Sequence, residues 1–119
     1  MFKKILQPLV EETEGGVGAI LIGYDGIPID QYVKPEGGLN LGLVAVELVS
    51  ALKEVKKAVV LLNLGGLEEV SLKTQSFHIL VRTLDENYFV ALAINDRGNL
   101  GKARYLLSRD RIKILEALS

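Results

Sequence analysis

The stretch that decides the fold covers residues 39–62 and reads LNLGLVAVELVSALKEVKKAVVLL. It lacks proline, and its apolar residues recur every three or four positions, which predicts one long α-helix. The stripe expected to face a sheet consists of Leu41, Val44, Leu48, Leu52, Val55, Val59 and Leu62. A second apolar surface would stay in water after that contact, and it consists of Leu39, Leu43, Val46 and Val49. A helix with two apolar surfaces is expected to have a second partner.

Small and basic residues border this second surface. The small ones, which permit close approach of another backbone, are Gly42, Ala45, Ser50 and Ala51. The basic ones are Lys53, Lys56 and Lys57. Because a charged rim beside an apolar centre is the usual anatomy of a protein–protein site, the helix is predicted to bind protein on this side.

Five runs outside the helix are predicted to be β-strands. They cover residues 17–24, 27–34, 67–74, 77–83 and 88–95. Asp25-Gly26 separates the first two runs and is typical of a tight hairpin turn. The first and last runs are apolar on both faces, which predicts central strands with cover above and below the sheet.

Two of the runs carry residues typical of edge strands. The run 27–34 contains Pro28 and Asp30, which suit an edge. The run 67–74 alternates apolar residues with Glu69, Ser71 and Lys73. Such a charged edge guards a strand against promiscuous pairing or selects one pairing partner.

Helices are also predicted at both ends of the chain. The first has an apolar face between residues 2 and 10, and Asn99 is expected to cap the last one. Within the last helix, Arg109-Asp110-Arg111 is a candidate break, so residues 112–119 either continue the helix or form a tail.

The predicted order is α-β-β-α-β-β-β-α, in one domain that covers residues 1–119. This is an α/β protein of the α+β type, with a five-stranded antiparallel sheet. Because the central strands need cover on both faces, the long helix is expected on one face and the terminal helices on the other.

Composition narrows the range of partners. Lys+Arg 14 against Asp+Glu 15 gives a net charge of -1, which gives no general attraction to nucleic acid or anionic membrane. A second basic group, which consists of Lys102, Arg104, Arg109 and Arg111, is expected to be a solvated helix face. No apolar run is long enough to cross a bilayer, and Pro8 interrupts the first one, so a cytoplasmic protein is expected.

The chain offers no constellation for catalysis. It has no cysteine and a single histidine, so thiolate chemistry and cysteine- or histidine-rich metal sites are excluded. No phosphate-binding loop is present, and no serine lies in a nucleophile elbow. His78 is expected to be a sheet residue rather than a general base. We therefore expect a protein that is not an enzyme and needs no cofactor.

Three stretches together resemble the roadblock/LC7 family over nearly the whole chain. Residues 18–30, GAILIGYDGIPID, resemble its first hairpin, and residues 67–74, LEEVSLKT, resemble its third strand. Residues 99–104, NLGKAR, resemble the start of its last helix. The resemblance implies a five-stranded antiparallel sheet, which agrees with the order predicted from the pattern.

The resemblance also implies a homodimer in which the long helix packs beside its mate and the third strand pairs with its counterpart. On the helix the implied surface consists of Leu39, Leu43, Val46, Val49 and Ser50. On the strand it consists of Glu69, Ser71 and Lys73.

The family has no catalytic chemistry of its own, and many members dock small Ras-like GTPases on the paired helices. The chain is similar to the stand-alone MglB-type members, which stimulate GTP hydrolysis by an MglA-type GTPase without inserting an arginine, and the long helix here contains none. By their location, Lys53, Lys56 and Lys57 are the expected docking residues.

Three functions are therefore considered. The leading hypothesis is a dimeric activator of GTP hydrolysis by a small Ras-like GTPase. The second is a non-catalytic scaffold or motor-adaptor subunit of roadblock type. The third is a small-ligand sensor built on a similar sheet-and-helix architecture.

Overall fold

A computed structural model describes residues 2–119 and contains three helices and five strands. The helices are α1 (Lys3–Glu12), α2 (Leu41–Leu61) and α3 (Leu100–Leu118). The strands are β1 (Gly16–Gly23), β2 (Pro28–Val33), β3 (Glu69–Lys73), β4 (Phe77–Thr83) and β5 (Tyr88–Asn95). This order confirms the predicted α-β-β-α-β-β-β-α arrangement.

The strands form one antiparallel sheet in the order β2-β1-β5-β4-β3. The two strands predicted to be central, β1 and β5, lie inside the sheet, and every residue of β1 is buried. The two strands predicted to be edges, β2 and β3, lie at its ends. At the β1–β2 turn, Gly26 has a φ of 86°, and the Asp25 carboxylate accepts a hydrogen bond from the Ile27 amide at 3.0 Å.

Two separate apolar cores lie on the two faces of the sheet. One core contains Ala91 and Ala93 of β5 and the buried residues of α2. The other contains Leu92 and Ile94 of the same strand with residues of α1 and α3. Neighbouring residues of one strand thus serve opposite cores, which confirms the three-layer arrangement.

The long helix faces the sheet with part of the expected stripe: Leu41 and Leu52 are buried, and Val44 and Leu48 pack partly against the core. Its buried residues are Leu41, Ala45, Val49 and Leu52. Val49 was expected on the second, free surface, but it is only 7% exposed and belongs to the core. Val55 and Leu62, which were expected to face the sheet, are exposed. Ala45 and Val49 thereby join the core that also contains Ala91 and Ala93 of β5.

The last helix is continuous, so the candidate break at Arg109-Asp110-Arg111 is wrong. Asp110 is 2% exposed and accepts hydrogen bonds from Arg109 Nε at 2.9 Å and Nη2 at 3.1 Å. Ile114, one turn later, is completely buried. Residues 112–118 therefore continue the helix, because a buried carboxylate that is paired with arginine does not interrupt packing.

The burial of Val49 predicts different costs for the same substitution at two valines of α2. We expect Val49→Ala to lower the free energy of unfolding by about 2 kcal/mol, because it deletes buried methyl groups and leaves a cavity. Val60→Ala, at a position that is 78% exposed, should change that free energy by less than about 0.5 kcal/mol. Urea denaturation measures both values, and equal losses would contradict this burial.

Candidate interaction surface

The single histidine is isolated from other metal-ligating groups. His78 is half-buried on β4, opposite Lys73 of β3. Its pKa is lowered from 6.5, first by burial and then by the positive charges of Lys73 and Arg104. Among residues 2–119 no three His, Cys, Asp or Glu side chains come together in a group that could hold a metal ion.

The outer face of α2, directed away from the sheet, carries apolar side chains in contact with solvent. Leu43 is 60% exposed and Val46 is 47% exposed, while Ser50 is exposed one turn further along. Leu39, just before the helix, is half-buried. The structure thus keeps Leu43, Val46 and Ser50 together on one free surface and withdraws Val49 from it.

The three predicted lysines line one groove beside this surface. The groove has a volume of about 700 Å³, and its lining residues are Tyr24, Ser50, Lys53, Glu54, Lys56, Lys57, Val60 and Leu61. Lys53 and Lys57 are exposed, and Lys57 forms an ion pair with Glu54 at 3.3 Å. Leu61, at 84% exposure, supplies the apolar end of the groove.

Lys56 differs from the other two lysines because the protein itself holds its ammonium group. Its Nζ atom lies 3.8 Å from the centroid of the Tyr24 ring and donates to the Glu86 carbonyl at 3.2 Å. Tyr24 is fixed in turn by Phe89, with ring centroids 5.0 Å apart, and by a 3.0 Å hydrogen bond between its hydroxyl and that of Thr83. Burial raises the pKa of Tyr24. Within residues 2–119 Lys53 forms no ion pair and Lys57 is paired only with the exposed Glu54, so the ammonium groups of these two lysines remain accessible to a partner.

Tyr24, Val60 and Leu61 were not predicted as site residues. Tyr24 lies 32 positions before Lys56 in the chain, so no local pattern connects them. For Val60 and Leu61 the sequence offered one signal, the apolar run VVLL at residues 59–62, which is longer than one sheet-facing stripe requires.

The C-terminal end of α2 lies near the segment that leads into β3. Lys56 and Val60 line a cavity together with residues 65–68, which lead into β3, and with Arg82 and Thr83 of β4. Lys56 and Val60, which also line the groove, are therefore near the start of β3.

Strand β3 pairs with β4 on one side and is the last strand of the sheet on the other. Ser71 and Lys73 are exposed, whereas Glu69 is held by Arg104, whose Nε donates to both carboxylate oxygens at 2.8 and 3.0 Å. Leu72 is also exposed on this strand. A row of unpaired backbone groups thus lies beside apolar surface, as in strands that pair with another chain.

The basic residues of α3 form contacts within the chain. Arg104 binds Glu69, Arg109 binds Glu12 and Asp110, and Arg111 donates to backbone carbonyls. Lys102 remains exposed, with its Nζ atom 5.9 Å from the ring centroid of Tyr105. These contacts account for the three arginines without a nucleic-acid partner. In the part of the chain that the structure describes, none of the helices has the length and apolarity to cross a membrane.

Comparison with known proteins first shows the fold. No family model matches the sequence, and no curated protein matches it. A solved roadblock/LC7 domain from Streptomyces avermitilis superposes with a TM-score of 0.85 at 14% identity, covering 98% of this chain and 96% of its own. The gliding protein MglB from Thermus thermophilus superposes with a TM-score of 0.80 at 18% identity, covering 91% of this chain and 81% of its own.

A nearer relationship in sequence shows the family itself. MglC from Myxococcus xanthus is 32% identical over 95% of each chain, with a TM-score of 0.69. The chain therefore belongs to the roadblock/LC7 family, as the three quoted stretches had indicated. Within that family it is similar to MglC in sequence and to MglB in fold.

The lowered pKa of His78 predicts that mild acid destabilises the fold. The unfolded chain, with a histidine pKa near 6.5, binds a proton before the folded chain does, so the free energy of unfolding falls as the pH drops through 6.5. Urea denaturation at about pH 7.5 and about pH 5.5 measures this loss. His78→Gln should lose less stability over the same interval, and an equal loss would contradict the assignment.

Proposed function

We propose that this protein is a homodimeric regulator that binds a small Ras-like GTPase of the MglA type and activates its GTP hydrolysis. The observation that carries the proposal is the exposed outer face of α2, with Leu43 and Val46 on the same helix as the exposed Lys53 and Lys57 of the groove. A roadblock fold with an apolar surface of this kind is suited to bind protein. A small-ligand role for the same surface has less support, because all but one of the residues that line the groove belong to α2, so the groove is open rather than enclosed.

The dimer is proposed to use both the outer face of α2 and the free edge of β3. In a two-fold symmetric interface the same patch occurs on both subunits. Two elements that each contact their own counterpart in the mate must therefore both lie near the two-fold axis. We propose that Leu43, Val46 and Ser50 on the outer face of α2 form one part of this interface, and that Ser71 and Lys73 on the edge of β3 form the other; all five residues are exposed in the single chain.

We expect Val46→Asp to dissociate this dimer, because it places an unpaired charge in the contact between the helices. Light scattering at micromolar concentration should give twice the 13.0 kDa of one chain for the parent and 13.0 kDa for the variant.

The matched control is Val55→Asp, the same change at another exposed valine of α2. Val55 is exposed, but it lies outside the proposed contact, so this variant should remain dimeric. A parent monomer, or a dimer that survives Val46→Asp, would remove α2 from the interface.

The GTPase is proposed to dock on the paired helices through Lys53 and Lys57, with Leu61 as an apolar anchor. Lys56 contributes by holding the groove in shape, since its ammonium group already contacts Tyr24 and Glu86. The exposed lysines favour a partner surface that carries carboxylates, because complementary charge steers association.

The test is GTP turnover by the cognate GTPase with and without this protein. Lys53→Glu combined with Lys57→Glu should weaken association by about tenfold or more, because both charges then repel the partner. Lys102→Glu, which changes an exposed lysine of α3, is the control and should leave turnover unchanged.

The scaffold or adaptor role is the alternative outcome of the same experiment. An adaptor would bind the GTPase in a lysine-dependent manner while hydrolysis and nucleotide exchange stayed at their basal rates. Failure of the GTPase to bind at all would overturn both roles.

A further inference from the structure

We propose that a second cavity, at the end of the sheet where β4 ends and β3 begins, binds the carboxylate or phosphate group of a small molecule. Its volume is about 530 Å³, within the range of small-ligand sites. Its lining includes Lys56, Val59, Gly65, Leu67, Arg82 and Arg111. The proposal is independent of the dimer and of the GTPase.

Arg82 is the central residue of this site because its guanidinium group lacks a partner. Its Nε atom is buried and has no hydrogen-bond partner among residues 2–119. Glu69 lies directly opposite Arg82 in the β3–β4 register and would be the natural carboxylate for it. Glu69 is instead bound to Arg104 through both oxygens. Arg82 is thus a half-buried cation without a carboxylate.

Arg111 brings a second guanidinium group to the same cavity. Its Nη2 donates to the Leu84 carbonyl at 2.7 Å, and its Nε lies 3.4 Å from the Thr83 carbonyl. Both acceptors are neutral, so the positive charge of Arg111 is not neutralised by these bonds. Within residues 2–119, neither Arg82 nor Arg111 forms an ion pair.

Charge is distributed unevenly between the inner lining and the rim. The three basic lining residues, Lys56, Arg82 and Arg111, are all half-buried. The three acidic ones, Glu68, Asp85 and Glu86, are all exposed. An anion that enters the cavity therefore meets guanidinium groups in the less solvated part, where electrostatic attraction is stronger.

The chemical class of the ligand follows from the two guanidinium groups and the apolar lining. Arginine presents donors in a planar fork that matches carboxylate and phosphate oxygens. Val59 and Leu67 offer an apolar surface for the body of the molecule. At Gly65 and Gly66 the space that a side chain would fill is open, so the backbone leaves room for a ligand.

The test is an amide NMR titration of the full chain with three probes at constant ionic strength: inorganic phosphate, isovalerate and acetate. Comparing phosphate with isovalerate shows whether the site prefers a phosphate or a carboxylate. Comparing isovalerate with acetate, which lacks the apolar body, shows whether the apolar lining contributes to binding. At least one of the first two should give saturable shifts at Leu67, Glu68, Thr83 and Leu84. Chloride at the same ionic strength should give none.

Arg82→Gln should weaken the binding of that probe by about tenfold or more, the loss expected for a charge-assisted hydrogen bond. Arg97→Gln, which changes an exposed arginine outside the cavity, is the matched control and should bind like the parent. If Arg82→Gln does not fold, Arg82→Lys takes its place, since it keeps the charge and loses the fork. No saturable shift with any probe, or parent-like binding by the Arg82 variant that folds, would overturn the site.

Discussion

The structure depends on the burial of two strands, β1 and β5, on both of their faces. Neither strand can lie in a sheet that has one face in water, since each carries apolar side chains above and below the backbone plane. Both faces of the sheet must therefore be covered. Two helices, α1 and α3, share one face, and α2 covers the other alone. A lone helix buries one stripe and leaves its opposite side in water, so the free surface of this protein follows from its core.

The two helical layers use their charged residues in different ways. On α3 the arginines bind groups of the same chain, and Arg109 binds two carboxylates, those of Glu12 and Asp110. On α2, Lys53 and Lys57 are exposed and Lys57 is paired only with the exposed Glu54, whereas Lys56 is held by aromatic and carbonyl groups. The α3 side of the molecule thus carries ion pairs that join it to α1 and β3, while the α2 side presents exposed lysines beside apolar side chains. This asymmetry suits a protein that binds others on one side.

The order of the elements could be predicted because it depends on local patterns. Alternation along the strands, the Asp25-Gly26 turn and the cap at Asn99 are each contained within a few residues. The site could be predicted in part, since Leu43, Val46 and the lysines lie on one helix with a known repeat. Tyr24 could not be assigned to it, because its contact with Lys56 joins distant parts of the chain.

The sequence by itself determined the elements, the three layers and the absence of cysteine-based or histidine-rich chemistry, because composition and periodicity are properties of the chain. Only the tertiary structure decided which stripe of α2 meets the sheet. Helical spacing shows which residues share a face, but only the packing of α2 in the folded chain shows that Val49 enters the core while Val55 stays exposed. The unpaired state of Arg82 was likewise decided in three dimensions, since Glu69 had two arginines within reach and binds Arg104.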